Sequence, residues 1–212
     1  MKIKTIPVGM LQANCYIIST ENNNAIAIDC GAEPEKIMRY IESEKLVLKK
    51  ILLTHGHFDH IGAVAQIVKK TNATVYIHSL DSKMLTDNRL NLASTIGTRI
   101  EPIEKFEEIE DGDIITQDEL EFKVLNTKGH TKGGVCYICK NSIFTGDTLF
   151  RGEVGRTDFP GGSFPEILAS VKKIADIEGN FDVYSGHGES STLERERNQN
   201  MYIKGSYNDT DF

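Results

Sequence analysis

Positive charge is in short supply in this chain of 212 residues: 24 Lys and Arg against 31 Asp and Glu leave a formal net charge of -7. Proteins that track nucleic-acid phosphates carry a basic patch or stripe, so the shortage argues against that class. Long apolar runs are missing as well. No stretch approaches the roughly 20 residues of a membrane-spanning helix. The N-terminal MKIKTIPVGMLQANCYII starts with charge, yet Pro7, Gln12 and Asn14 interrupt any signal-peptide core. A cytoplasmic location is expected, with neither membrane nor nucleic acid as partner. A second C-x-x-C is also lacking. Cys136 and Cys139 form one, but Cys15 and Cys30 are too far apart to complete a zinc ribbon. The text GVCYICK reads as a strand, where residues three apart face opposite sides, so buried free thiols are expected.

What is present suits an ordinary globular protein, 39% hydrophobic and 26% charged. No linker or low-complexity segment divides it, so one domain over residues 1–212 is expected, with a tail fraying from about 204. Apolar alternation predicts strands at KIKTI, CYIIS, AIAID, KILLT and TVYIH, then at EFKVLN, GVCYIC, NSIFT and DVYSG. Helical spacing follows Pro34 (Ile37, Tyr40, Ile41) and, directly after the strand KILLT and its histidines, Ile61, Val64, Ala65 and Val68. Ser163 with Glu166, and Ser191 with Glu194, have the spacing of capping boxes for two further helices. Residues 86–103 lack a period and predict a long loop walling a binding cleft. Strands followed by helices in both parts of the chain suggest an α/β fold of two similar halves.

The polar outliers share one context. In ILLTHGHFDHIGA, three of the six histidines fall between His55 and His60. His130 follows FKVLN, Asp147 follows SIF, and His187 follows DVYS, each in a glycine-containing turn past an apolar strand. Ligand sites of α/β folds lie beyond the carboxyl ends of strands. His78, without glycines around it, reads instead as a hydrogen-bonded histidine at a strand end. His55, His57, Asp59, His60, His130, Asp147 and His187 make seven candidate metal ligands. A catalytic zinc takes three protein ligands and keeps one position open. Seven with one shared carboxylate therefore suit two divalent metal ions with a hydroxide between them. Imidazole and carboxylate without thiolate suit zinc, iron or manganese, zinc being the first expectation.

The segment T-H-G-H-F-D-H at 54–60 resembles the H-x-H-x-D-H signature of the metallo-β-lactamase superfamily, with His130, Asp147 and His187 in its order and contexts over roughly residues 1–200. The resemblance implies a four-layer αββα sandwich with a dinuclear metal site at one edge of the two sheets. It implies His55, His57 and His130 on the first metal, Asp59, His60 and His187 on the second, and Asp147 bridging. The segment GDTLFRGEVGRTDFPGG at 146–162 looks most like the single-domain type II glyoxalases, which hydrolyse hydroxyacylglutathione thioesters. A thioesterase acting through a metal-bridging hydroxide is thereby implied, with Asp59 orienting that hydroxide as well as ligating. Too few residues follow His187 for the helical domain that holds glutathione in longer type II glyoxalases, so the thiol carrier stays open. Lys132 stands where the usual G-H-T-P-G-S has proline. Arg151 and Arg156 suit recognition of a carboxylate in an anionic small-molecule thioester, and Asp158 suits pairing with an arginine. Three alternatives remain, one of them a non-catalytic binding module, disfavoured because no ligand position is lost. Persulfide dioxygenases, which use one iron, share G-R-T-D-F at 155–159 but have a longer His-to-Gly spacing than His60-Ile61-Gly62. Lactonases share H-F-D-H but not the 146–162 segment.

Overall fold

Alternation along the strands decides the layering. In the computed structural model, which describes residues 1–207, two six-stranded sheets face each other. The first holds β1 (Lys2–Val8), β2 (Ala13–Ser19), β3 (Asn24–Ile28), β4 (Val47–Leu52), β5 (Thr74–His78) and β6 (Glu107–Ile109) in chain order. It is antiparallel from β1 to β3 and parallel from β3 to β6. The second holds β7 (Ile114–Gln117), β8 (Leu120–Asn126), β9 (Val135–Cys139), β10 (Ser142–Gly146), β11 (Asp182–Ser185) and β12 (Ser191–Thr192), again in chain order. Only β10 and β11 run parallel there.

Most strands feed two cores. Ile18, Ile26 and Leu52 meet Phe122, Tyr137 and Phe144 between the sheets. Their neighbours Ile17, Ala27 and Ile51 face outward, under α1 (Pro34–Ser43) and α3 (Val64–Thr71). On the far side Ile143 and Val183 pack beneath α4 (Phe164–Ala175) and α5 (Leu193–Gln199). The result is the expected αββα sandwich. Cys136 and Cys139 point to opposite faces of the second sheet, and all four cysteines are buried and free. Among the described residues no helix is long and apolar enough to cross a membrane.

Two tyrosines tie the inter-sheet core to the edge that matters. Tyr16 Oη donates to the carbonyl of Ser185 at 2.5 Å and Tyr137 Oη to that of Leu53 at 2.8 Å. Ser185 ends β11 and Leu53 directly follows β4, on the segments that lead to His187 and His55. Tyr16 also meets Phe144 edge-on at 5.3 Å, a geometry worth about 0.5–1.5 kcal/mol beyond its burial.

Several local expectations differ from the structure. The helix expected to run on from the histidines is broken: α2 (Phe58–Ile61) ends at Gly62, and α3 starts afresh at Val64. A Cβ at Gly62 would stand 2.5 Å from the Gly31 carbonyl oxygen, so only glycine lets the chain pass this close to its neighbour. Ser163 occupies the N-cap of α4 but its hydroxyl makes no cap bond; Pro165 near the helix start already removes one orphan donor. The cap of α5 is Thr192, accepting from the Arg195 N–H, while Ser191 belongs to β12. The helix α6 (Met201–Lys204) runs up to the start of the tail, where Tyr207 stacks on Tyr202; the rest of the tail expected to fray, residues 208–212, lies outside the described residues.

Candidate metal centre

The turns after β4, β8, β10 and β11 meet at one edge of the two sheets and bring all seven candidate donors together. His55, His57 and His130 form one group, Asp59, His60 and His187 a second, and His55, His60 and Asp147 a third between them. Donor atoms within each group lie within 4.8 Å of one another. His57 Nδ1 is 2.9 Å from His130 Nε2, and His60 Nε2 is 3.3 Å from His187 Nε2. Asp147 reaches both sides, with Oδ1 3.4 Å from His60 Nε2 and Oδ2 3.6 Å from His130 Nε2. Asp59 Oδ2 lies 3.3 Å from His187 Nε2. Gly186 leaves the room for this: a Cβ there would sit 2.1 Å from Asp147 Oδ1.

On four of the five rings the other nitrogen is anchored, which fixes the inward-facing one. His130 Nδ1 donates to the Arg156 carbonyl at 2.8 Å and His187 Nδ1 to the Leu11 carbonyl at 3.0 Å. His60 Nδ1 donates to Asp29 Oδ2 at 2.9 Å, and His55 Nδ1 lies 3.1 Å from the Thr54 hydroxyl. Such outer partners set the tautomer of metal-binding histidines.

Electrostatics split the cluster. Burial, reinforced by His60 and His57, holds His55 well below its ordinary pKa, and burial with His130 alongside brings His57 down to about 3. Burial would lower His60 too, but Asp147, Asp59 and Asp29 override it and raise it to about 9. At His187 burial is likewise outweighed by Asp147 and Asp59, to about 10. Burial opposes the charge on Asp147, yet His60, His187 and His130 hold its carboxyl well below the usual range. His55 and His57 thus keep bare lone pairs, while the carboxylates draw positive charge to the other side. Divalent cations answer both demands. His55 Nε2 and Asp147 Oδ1 fit that reading directly: both are buried and find no hydrogen-bond partner, which is costly unless a cation satisfies them.

A cleft of about 630 Å³ opens onto the cluster, walled by Phe58, Phe150, Phe159 and Leu92. Thr95 and Ile96 also line it, so the loop over 86–103 does wall the cleft. Arg156 lines the cleft, with its guanidinium 3.9 Å above the Phe159 ring and forked onto Asp158 at 2.7 and 2.6 Å. Arg151 pairs with Glu189 and is not among the lining residues. His78 stands apart from the donors, accepting from the Leu80 N–H.

Two buried aspartates escaped the sequence reading. Asp29 accepts from His60 and from the Thr54 N–H and hydroxyl at 2.8 and 2.7 Å. It follows a strand, as the donors do, which was the available signal. Asp81 accepts from Thr131 at 2.7 Å, Gly133 at 2.8 Å and Gly56 at 3.3 Å, tying the turn of His55 to that of His130. Burial raises its pKa. Nothing local in its sequence marks it.

A family model described as the metallo-beta-lactamase superfamily matches residues 8–187. The chain belongs to that superfamily. Within it, the chain is 34% identical over 210 residues to a Haemophilus influenzae protein named hydroxyacylglutathione hydrolase GloC, covering 96% of this chain and 98% of that one. Among solved structures, the BLEG-1 B3 metallo-beta-lactamase superposes with a TM-score of 0.89 at 34% identity, over 96% of this chain and 100% of that one. A di-iron-bound form of TTHA1623 gives 0.84 at 35% identity, over 93% and 98%. Membership in this superfamily makes a metal-dependent hydrolase the activity class, and divalent metals its cofactors.

Proposed function

We propose that this metallo-hydrolase cleaves thioesters of the hydroxyacylglutathione type, with His55, His57 and His130 holding one cation, Asp59, His60 and His187 another, and Asp147 shared. The observation that carries the reading is the complete donor set, orphaned His55 Nε2 and Asp147 Oδ1 included, in a chain that matches the Haemophilus influenzae hydrolase over nearly its whole length. Zinc is the first expectation; the di-iron form of TTHA1623 keeps iron in view. Two such cations supply Lewis acidity, bringing water to ionise near neutral pH and polarising a carbonyl.

The chain's own groups do the rest. Asp59 is partly exposed at the cleft floor, where Oδ2 accepts the hydrogen bond of an attacking water and aims its lone pair. Asp29 keeps the His60 proton on Nδ1, leaving Nε2 free to ligate. Phe58, Phe150 and Phe159 exclude bulk water, which strengthens every charge interaction within. A thiol with a pKa near 8.5 leaves as thiolate without a general acid. Arg156 gives the Phe159 end of the cleft a cation for a substrate carboxylate.

Metal-loaded protein should cleave S-lactoylglutathione without oxygen. Chelation should abolish the activity, zinc or manganese should restore it, and His57→Ala should lose several orders of magnitude in kcat/KM. Oxygen consumption with glutathione persulfide, or turnover of a β-lactam, with no thioester cleaved would overturn the proposal.

A further inference from the structure

Behind the wall formed by Leu11, Phe58 and Ile96 lies a second hollow of about 530 Å³, within the size range of small-molecule sites (about 300–1,000 Å³). Those three residues and Asp59 line both spaces, so the two lie side by side next to the metal centre. Its walls come from the β1–β2 turn, the start of α1, the Gln66 face of α3 and the Ile96–Ile100 loop. The floor is Gly31 against α2. A Cβ at Gly31 would stand 1.6 Å from the Asp59 carbonyl oxygen, so a side chain there would displace Asp59 as well as fill the hollow.

The lining is mostly apolar, and its charged members are Glu33 and Asp59; no Lys, Arg or His contributes. Glu33 is fixed in place, accepting the Gly9 N–H at 2.9 Å and lying 3.5 Å from Lys36 Nζ; the Gly9 bond, with Lys36 beside it, holds its carboxyl below the usual range. Three of the seven exposed large hydrophobic side chains among the described residues, Met10, Leu11 and Ile96, gather on this one rim. Isolated exposed apolar residues mean little, but a contiguous set around a hollow marks a binding surface. The rim is also tied to the site, since the Leu11 carbonyl accepts from His187 Nδ1.

The two spaces therefore differ in their linings: Arg156, paired with Asp158, borders the first, and mostly apolar walls with Asp59 and the Lys36-paired Glu33 border the second. Resting on the thioesterase reading, we infer that the second hollow receives the acyl arm of the substrate, with the anionic thiol carrier kept at the Arg156 end. The substrate class is then a thioester of an extended, uncharged, apolar acyl chain, longer than a small 2-hydroxyacyl group.

S-Alkylglutathione thioethers, which cannot be hydrolysed, test the hollow apart from turnover. Calorimetry on the metal-loaded protein should show affinity rising from S-methyl to S-hexyl, by up to about fourfold per methylene that is fully buried. Acetyl, butanoyl and hexanoyl glutathione should give the same order in kcat/KM. Glutaryl glutathione should fall below pentanoyl, because its terminal carboxylate must leave water for mostly apolar walls, and the nearest cation, Lys36, is already paired with Glu33 at 3.5 Å. Gln66→Trp and Thr98→Trp, at exposed positions of the lining, should flatten the dependence on chain length while melting within a few degrees of the parent. Affinity independent of alkyl length in the parent, or chain-length preference unchanged in both variants, would overturn the inference. Retained alkyl preference with no thioester cleaved supports the hollow as an apolar subsite and overturns only the hydrolytic reading.

Discussion

Asp29 shows how much one carboxylate can determine. It is buried, sits at a left-handed φ of 55°, and accepts three hydrogen bonds: the Thr54 N–H on Oδ1, the Thr54 hydroxyl and the His60 ring on Oδ2. An ionised carboxylate only accepts, so His60 must carry its proton on Nδ1 and present Nε2 bare to Asp147 and Asp59. Asparagine tolerates the same backbone and can keep the Thr54 N–H bond. Its amide nitrogen, however, would then face the His60 N–H donor to donor. The ring would answer by moving its proton to Nε2, the atom needed for the metal. Asp29→Asn should therefore fold with little loss yet weaken metal binding about 10–100-fold, as loss of such an outer partner does elsewhere. Competition with a chromophoric chelator measures it, and unchanged affinity would show that Asp29 does not set the His60 tautomer.

Among the elements, α5 carries a constraint on the segment that bears Arg156 and Phe159. Glu196 is fully buried and accepts from the Gly152 N–H at 2.8 Å, Asn200 Nδ2 at 3.0 Å and Arg195 Nη1 at 2.6 Å, with Ser191 as a fourth donor. Burial would raise its pKa, but those donors outweigh it and hold the carboxyl below its usual value. A depressed folded pKa gives stability that is present above the unfolded value of about 4.3 and lost as pH falls through the folded one. Thermal stability should thus decline below about pH 4.3 in the parent and less steeply in Glu196→Gln. At pH 7 that variant should be destabilised by about 1–3 kcal/mol, because an amide donor then meets other donors. Equal acid sensitivity in both proteins would place the titrating group elsewhere. Such bonds join distant segments, which is why they were illegible beforehand. What alternation reports is local: the strands around Ile17–Ile18, Ile51–Leu52 and Ile143–Phe144 were legible because each residue chooses one of two cores. The edge strands Glu107–Ile109 and Ile114–Gln117 were not, being short and largely exposed. The gathering of the seven candidate donors was legible because they lie in glycine-containing turns past strands, whereas Asp81 acquires its role only when Gly56, Thr131 and Gly133 fold around it.

At the scale of the molecule, the first sheet and its helices contribute His55, His57, Asp59 and His60, and the second sheet contributes His130, Asp147 and His187. Cations at the shared edge would therefore clasp the two sheets where their strand ends meet, so folding stability and metal content should be linked. A ligand bound only by the folded state adds RT ln(1 + [L]/Kd), about 4 kcal/mol at a thousandfold excess over Kd. For a chain of this size each kcal/mol moves Tm by roughly 2–4 °C, so chelation should lower Tm by on the order of 10 °C. Because Asp147 contacts both donor groups, Asp147→Ala should lose the metal-dependent part of the melting shift cooperatively. His78, buried beside Asn126 and outside the donor groups, should leave that shift intact when replaced by alanine. The comparison is between shifts on adding metal, which removes the intrinsic cost of each substitution. Equal shifts in the two variants would mean that Asp147 is no ligand, and the clasp between the sheets would have to be sought in the aromatic core around Tyr16 and Phe144.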